Sequence, residues 1–249
     1  MQNKLSNRLS AKHSCKLSLF FIALVPALIS APMALAHSNV EIEAMHGKAD
    51  HNLPPIKEAL KFSYSKESQK EFDQAVARGK AAIDKALAEA ANKESKAKAL
   101  CVVSDIDETI LDNRPFIERE VAKNVKEVDW QGFAAWVDEA AGKPLTPSVE
   151  LLAYARKKGL AVFLISGRVE NLRRATITNL VKYGIAYDGL YLRGNDDKSS
   201  AIPMKSAYRK QIEAMGYKIV VNIGDQFSDL AGGYSVDCEK LPNKMYYIQ

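Results

Sequence analysis

Four short sets of polar residues have the types and spacings that chemistry needs. They are Asp105-Ile106-Asp107-Glu108-Thr109, Ser166-Gly167-Arg168, Lys205, and Gly224-Asp225 followed by Asp229. Taken singly, each has a plain structural explanation. An Asp after a strand caps a helix or shapes a turn, Ser-Gly and Gly-Asp are ordinary turn pairs, and a lone Lys is usually solvated. Taken together, each at its own predicted strand end or following helix, they define one site. Three acidic side chains gathered there repel by about 4 kcal/mol for each pair about 4 Å apart at an effective dielectric of about 20. Such a cluster calls for a cation, and carboxylate oxygens favour Mg²⁺.

The elements that must position these residues follow from periodicity. The run 99–104, rich in β-branched residues, reads as a strand ending at Asp105. Helix 147–158 is expected to be capped by Thr146 and stopped at Gly159, before a buried strand at 160–165. A helix at 169–183, a strand at 190–193, a helix at 202–215 and a strand at 218–223 follow, with a last strand expected at 244–248. This alternation predicts an α/β fold, a doubly wound and mainly parallel Rossmann-like sheet, spanning 99–249. In such sheets the site lies at the carboxyl ends of the strands. A segment at about 114–142 interrupts the pattern and reads as a small cap over those ends. Residues 53–98 read as an N-terminal helical extension, whose Phe72, Val76, Ile83 and Leu87 form an apolar stripe for packing on the core.

The first 36 residues look separate from the globule. Lys4, Arg8, Lys12 and Lys16 precede an uncharged run that ends in Ala34-Leu35-Ala36, the pattern of a cleavable signal peptide. Four of the 35 basic residues and none of the 30 acidic ones lie in that leader. The remainder is therefore near neutral, and the pI of 8.9 is largely a leader effect. Nothing in that balance argues for a nucleic-acid polymer or an anionic membrane as partner. Cys15 precedes the apolar run, so it is not placed for lipid attachment. Residues 37–52 read as a flexible polar lead-in holding His37, His46 and His51. Cys101 and Cys238 are left either to pair in an oxidising compartment or to stay as buried thiols.

These motifs resemble the haloacid dehalogenase superfamily, and within it the acid phosphatases of the class C bacterial and plant vegetative type, subfamily IIIB. The residues that carry the resemblance are 105–113 (DIDETILDN), 164–168 (LISGR), Lys205, 224–230 (GDQFSDL) and the ending 240–248 (KLPNKMYYI). It implies an exported Mg²⁺-dependent acid phosphatase that hydrolyses a small-molecule phosphomonoester, with no stable membrane anchor after processing. Asp105 would be the nucleophile that forms an aspartyl-phosphate, and Asp107 the residue that protonates the leaving alcohol and then activates water. Mg²⁺ would be held by Asp105, the backbone carbonyl of Asp107, and Asp225. Ser166, Gly167 and Lys205 would bind the transferring phosphoryl oxygens. Thr109 and Asp229 would support them, Asp229 by touching the metal shell or by orienting Lys205. Lys198 and Lys210 suit a solvated loop and helix face. The plant branch also contains storage proteins, so a non-catalytic storage or binding role on the same fold is the alternative.

Asn113, Trp130, Trp136 and Arg168 are candidate substrate contacts. Trp130, Phe133 and Trp136 recur every three residues, the spacing of a helix face packing the cap onto the core. An exposed indole among them would instead stack an aromatic leaving group, which favours nucleoside monophosphates or aryl phosphates. Other hydrolase designs lack residues: no histidine follows His51, so the base of a Ser-His-Asp hydrolase or a histidine phosphatase is missing. Neither Cys101 nor Cys238 has a phosphate-binding loop and Arg behind it. The leader implies a periplasmic or secreted location. N-terminal sequencing of the exported protein should begin at His37; an unprocessed chain held in the membrane fraction would overturn this.

Overall fold

The computed structural model describes residues 53–91 and 98–248. The leader and lead-in expected at 1–52, and the end of the extension at 92–97, lie outside the described residues. In chain order the elements are α1 (Ile56–Ser63), α2 (Lys66–Ala91), β1 (Ala99–Ser104), β2 (Leu111–Asp112), α3 (Arg114–Ala122), α4 (Trp130–Asp138) and β3 (Lys143–Pro144). Then come α5 (Thr146–Lys157), β4 (Ala161–Val169), a 3₁₀ turn (Glu170–Leu172), α6 (Arg173–Lys182), β5 (Gly189–Arg193), α7 (Ala201–Ala214), β6 (Tyr217–Gly224), α8 (Phe227–Leu230) and β7 (Asp237–Lys240). Among the described residues no helix is long and apolar enough to cross a membrane.

The main sheet has the order β5-β4-β1-β6-β7, and all four pairings are parallel. β1 sits at the centre, buried from Cys101 to Ser104, which matches its uninterrupted apolar run. One face of the sheet carries α2 and α5: Phe72, Val76 and Ile83 of α2 share a core with Leu151, Leu152, Val102 and Val221. A Cβ on Gly79 would lie 3.2 Å from Leu151 Cδ2, so the absent side chain lets α2 lie close on α5. On the other face Ile212 of α7 packs with Val103, Phe163, Ile165 and Ile219. The expected α/β fold is the one observed, with the helical extension serving as part of a layer of the core. The insertion forms α3 and α4, whose Phe116, Ile117, Trp136 and Val137 bury against Ile56, Leu172 and Met245.

Several local expectations are corrected. Helix α5 begins at Thr146 itself, after Leu145, and no side chain caps it. β4 runs past Ile165 to Val169, so Ser166, Gly167 and Arg168 belong to the strand's end. Its register against β5 shifts between Ser166 and Val169, an irregularity that re-aims side chains. The expected last strand at 244–248 is not a strand. Its backbone meets a side chain instead: the Ile248 N–H donates to Gln226 Oε1 at 3.1 Å, and the Tyr246 carbonyl accepts from Gln226 Nε2 at 3.3 Å. The edge position belongs to β7, whose four residues DCEK carry no strand pattern to read. Cys101 and Cys238 are buried and not disulfide-bonded. β6 lies between their strands, with Cys101 opposite Ile219 and Cys238 opposite Asn222, which puts them more than about 10 Å apart, beyond the roughly 7 Å that a disulfide spans.

Candidate active site

β1, β4 and β6 end side by side, and the polar sets meet at their carboxyl edge. The chain leaves β1 through a tight turn in which the Ile106 carbonyl accepts from the N–H groups of Ile110 and Leu111, each at 2.9 Å. Glu108 takes a left-handed φ of 52° to close it, a conformation that costs a non-glycine residue energy and is held by its surroundings. The surroundings here are specific. Glu108 Oε1 accepts from the Asn113 N–H at 3.0 Å, and Oε2 accepts from the Tyr246 hydroxyl. Burial first, then the charges of Asp107 and Asp225, push the Glu108 carboxyl well above its ordinary range, while the bonds from Tyr246 and Asn113 act against that.

The turn sends Asp105 and Asp107 into different environments. Asp105 is 6% exposed and accepts from Lys205 Nζ at 2.6 Å. Asp107 is gripped by Arg168, whose Nη2 donates to Oδ1 at 2.7 Å while Nε reaches both carboxylate oxygens at 3.1 Å. Asn113 Nδ2 also donates to Asp107 Oδ1 at 2.9 Å. Ser166 Oγ lies 3.5 Å from Asp107 Oδ2 and accepts from the Arg168 N–H at 3.1 Å. Arg168 is itself buried and anchored by Nη1 to Thr176 Oγ1 at 3.1 Å.

Lys205 lies in the first turns of α7 and is buried, while Lys198 and Lys210 are exposed. Its ammonium bridges Asp105 and Asp229, with the second contact at 2.5 Å. Burial alone would pull its pKa down, but the two carboxylates outweigh burial and hold it above the ordinary lysine value. Asp229 completes its shell by accepting the Gln226 N–H on Oδ2 at 2.8 Å. Asp229 thus contacts Lys205 and also lies beside Asp105 and Asp225, so both roles expected for it have a geometric basis. Burial drives Asp105 well above the carboxylate range; Lys205 opposes that, and Asp229, Asp225 and Asp107 add to it. Burial and the Asp229 charge push Asp225 up to about 6.

These buried acids suit a cation. One ligand oxygen from each of Asp105, Asp225 and Asp229 falls within 4.8 Å of the others. Asp229 has both oxygens engaged, as above. Asp225 Oδ2 is also occupied, by Gln226 Nε2 at 2.7 Å and Asn243 Nδ2 at 2.6 Å. What remains is Asp105 Oδ2 and Asp225 Oδ1, joined only by the Thr109 hydroxyl at 3.4 and 3.3 Å. A hydroxyl has one proton to give, so it does not serve both oxygens while both groups are charged. A hard divalent ion fits that deficit.

A cavity of about 320 Å³ opens on the site and is lined by Asp105, Asp107, Arg168, Lys205, Trp130 and Tyr246 among others. Gly167 is exposed at its rim. The two cap tryptophans differ in placement. Trp136 is 4% exposed and donates its indole N–H to Asn113 Oδ1 at 2.8 Å, and neither residue lines the cavity. Trp130 is 48% exposed and stands edge-on to Tyr246, with ring centroids 5.4 Å apart. Arg168 lines the cavity while bonded to Asp107. Glu108, Gln226, Asn243 and Tyr246 were missed as site residues. The motifs 105–113, 224–230 and 240–248 contained them, but their partners lie up to 138 positions away.

Known proteins share the fold. Residues 27–249 match the family model described as HAD superfamily, subfamily IIIB (acid phosphatase). Acid phosphatase 1 of Solanum lycopersicum is 38% identical over 149 residues, which are 59% of this chain and 58% of that protein. The stem 28 kDa glycoprotein of Glycine max is 32% identical over 152 residues, 59% of each chain. The chain thus spans less than two thirds of the length of these relatives. The class C acid phosphatase from Bacillus anthracis superposes with a TM-score of 0.63 over 77% of this chain and 85% of its own, at 24% identity, a likeness of fold. With a match over most of its length and the motif residues gathered at one sheet edge, the chain belongs to the acid phosphatases of the HAD superfamily, subfamily IIIB.

Proposed function

We propose that this chain is an exported phosphomonoesterase that works through an aspartyl-phosphate on Asp105. The observation that carries the reading is the pairing of Asp105 with Lys205 at 2.6 Å on the wall of a cavity that Asp107 shares. In the first step a carboxylate oxygen of Asp105 attacks phosphorus, the bond from phosphorus to the leaving oxygen breaks, and Asp107 gives that oxygen a proton. In the second step Asp107 takes a proton from water, which attacks the same phosphorus; inorganic phosphate leaves and the Asp105 carboxylate is restored. Lys205 and Ser166 stabilise charge on the transferring oxygens from a buried and fixed position. Arg168 and Asn113 hold Asp107 toward the leaving group. Asp105, Asp225 and the Asp107 backbone carbonyl would hold Mg²⁺, which when bound supplies the positive charge that neutralises phosphate against carboxylate.

For substrate, Trp130 with Phe133, Ala134 and Tyr246 gives the cavity an aromatic, apolar part. That surface supports 5′-nucleotides or aryl phosphates in preference to glycerol phosphate.

Asp105→Asn should fold and lose turnover of p-nitrophenyl phosphate by about three orders of magnitude or more, because a neutral amide does not form the acyl phosphate. Full wild-type activity in EDTA, or an active Asn variant, would sink the mechanism; a wild type inactive even with Mg²⁺ would point to a storage protein.

Metal dependence should also be visible in stability. An Asp raised to about 6 in the fold from the ordinary carboxylate range binds a proton more tightly when folded. Its favourable contribution is present below the unfolded value and is lost as pH rises through about 6. Mg²⁺ replaces the lost proton, so it should raise Tm by several degrees at pH 7.5 and clearly less at pH 5.0. Thermal melts in Mg²⁺ and in EDTA measure this, and equal increments at the two values would contradict it.

Trp130→Ala should raise KM for a nucleotide about tenfold, within the roughly 1–3 kcal/mol of a stacked base, and leave glycerol phosphate nearly unchanged. Equal losses on both substrates would make Trp130 a packing residue only.

A further inference from the structure

The ending 240–248 was singled out by sequence, and the proposed mechanism gives it no task. In the structure it runs between two cavities. Tyr246 and Gln226 line both the catalytic cavity of about 320 Å³ and a second cavity of about 530 Å³ that reaches Asp225 and Asn243 from the other side. The segment is tied to the end of β6 by the Leu241 N–H, which donates to the Gly224 carbonyl at 2.9 Å.

Its polar groups converge on one oxygen. Asn243 Nδ2 donates to Asp225 Oδ2 at 2.6 Å, and its own Oδ1 is fixed by the Met245 N–H at 2.8 Å. The second donor to Oδ2, Gln226 Nε2, is held in place by the Tyr246 carbonyl and by the Ile248 N–H on Gln226 Oε1. Every hydrogen bond on the outer oxygen of Asp225 therefore comes from this segment or from a side chain that it fixes. The donors are neutral amides. They fix the carboxylate plane without cancelling its charge, as a lysine would. The nearby ammonium of Lys240 is turned aside onto the Leu241 carbonyl at 2.7 Å. The inner oxygen, Oδ1, is left facing Asp105 and Thr109.

We infer that Asn243 is a positioning residue for divalent-cation binding, and that the C-terminal segment is a strap that sets the affinity of the site through Asp225. This rests on the proposed reading of Asp105 and Asp225 as cation ligands. Loss of an outer partner of a ligating carboxylate typically costs 10- to 100-fold in metal affinity. The test is calorimetric titration of the metal-free mature protein with Mg²⁺ alone, for wild type, Asn243→Ala and Asn243→Ser. The Ser variant keeps an oxygen for the Met245 N–H but is too short to reach Asp225, so it decides the matter if the Ala variant fails to fold. Both variants should bind Mg²⁺ about 10- to 100-fold more weakly, while turnover at saturating Mg²⁺ falls far less. If wild type binds and the folded variants bind equally well, the strap inference is overturned. If wild type itself binds no divalent cation, the ligand reading beneath it is what fails.

Discussion

The site depends on one buried ion triad, the Lys205 ammonium held between Asp105 and Asp229. Taking three charges out of water is unfavourable, and removing one partner of such a group typically costs about 3–5 kcal/mol because a buried charge is left uncompensated. The surrounding structure is shaped to keep the triad intact. Arg209, one turn along α7 from Lys205, is fully buried and donates to the carbonyls of Gly233 at 2.7 Å and Asp229 at 2.6 Å, and also to that of Ala231. It ties the helix that carries Lys205 to the loop that carries Asp229. Gly224 makes room for the same contact: a Cβ there would lie 2.5 Å from Asp229 Cβ and 2.4 Å from its Oδ2.

The triad also explains how two aspartates two positions apart serve different ends. Asp105 is nearly buried at the cavity wall, where it faces Lys205, Thr109 and Asp225. Asp107 faces the open cavity and is oriented by Arg168 and Asn113. Under the proposed mechanism, this difference in environment is what separates the attacking group from the proton carrier, since unlike surroundings can give paired carboxylates unlike roles. The turn between them is fixed by Glu108, whose buried carboxyl is bonded by Asn113 and Tyr246. The last residues of the chain thereby control the geometry of the first motif, and the cap is joined to the same network through Trp136 and Asn113.

The cap and the strap together give the catalytic cavity two unlike sides. One is ionic, built by strand ends; the other is aromatic, built by Trp130 of α4 and Tyr246 of the strap. Both aromatic groups come from elements outside the sheet, and of the two only Tyr246 is bonded into the network around the first motif.

Much of this was legible in the chain itself. The order of strands and helices, the parallel sheet and the gathering of Asp105, Ser166, Lys205 and Asp225 at one edge follow from local periodicity and from the rule that loops at carboxyl ends carry the site. Local information failed where the partner was distant. Nothing in DCEK announces an edge strand, because β7 is defined by its register against Val221–Gly224 of β6 and by Arg78 of α2 neutralising Glu239. The apolar run at 244–248 looks like a strand, yet its backbone is satisfied by Gln226. Trp130 and Trp136 are indistinguishable by spacing; only packing against Phe116 and the bond to Asn113 buries one and leaves the other at the cavity. Residue types and their order thus determined which chemistry the chain can host. The tertiary structure decided which side chain faces which, since hydrogen-bond partners far apart in sequence are chosen by the fold and not by their neighbours.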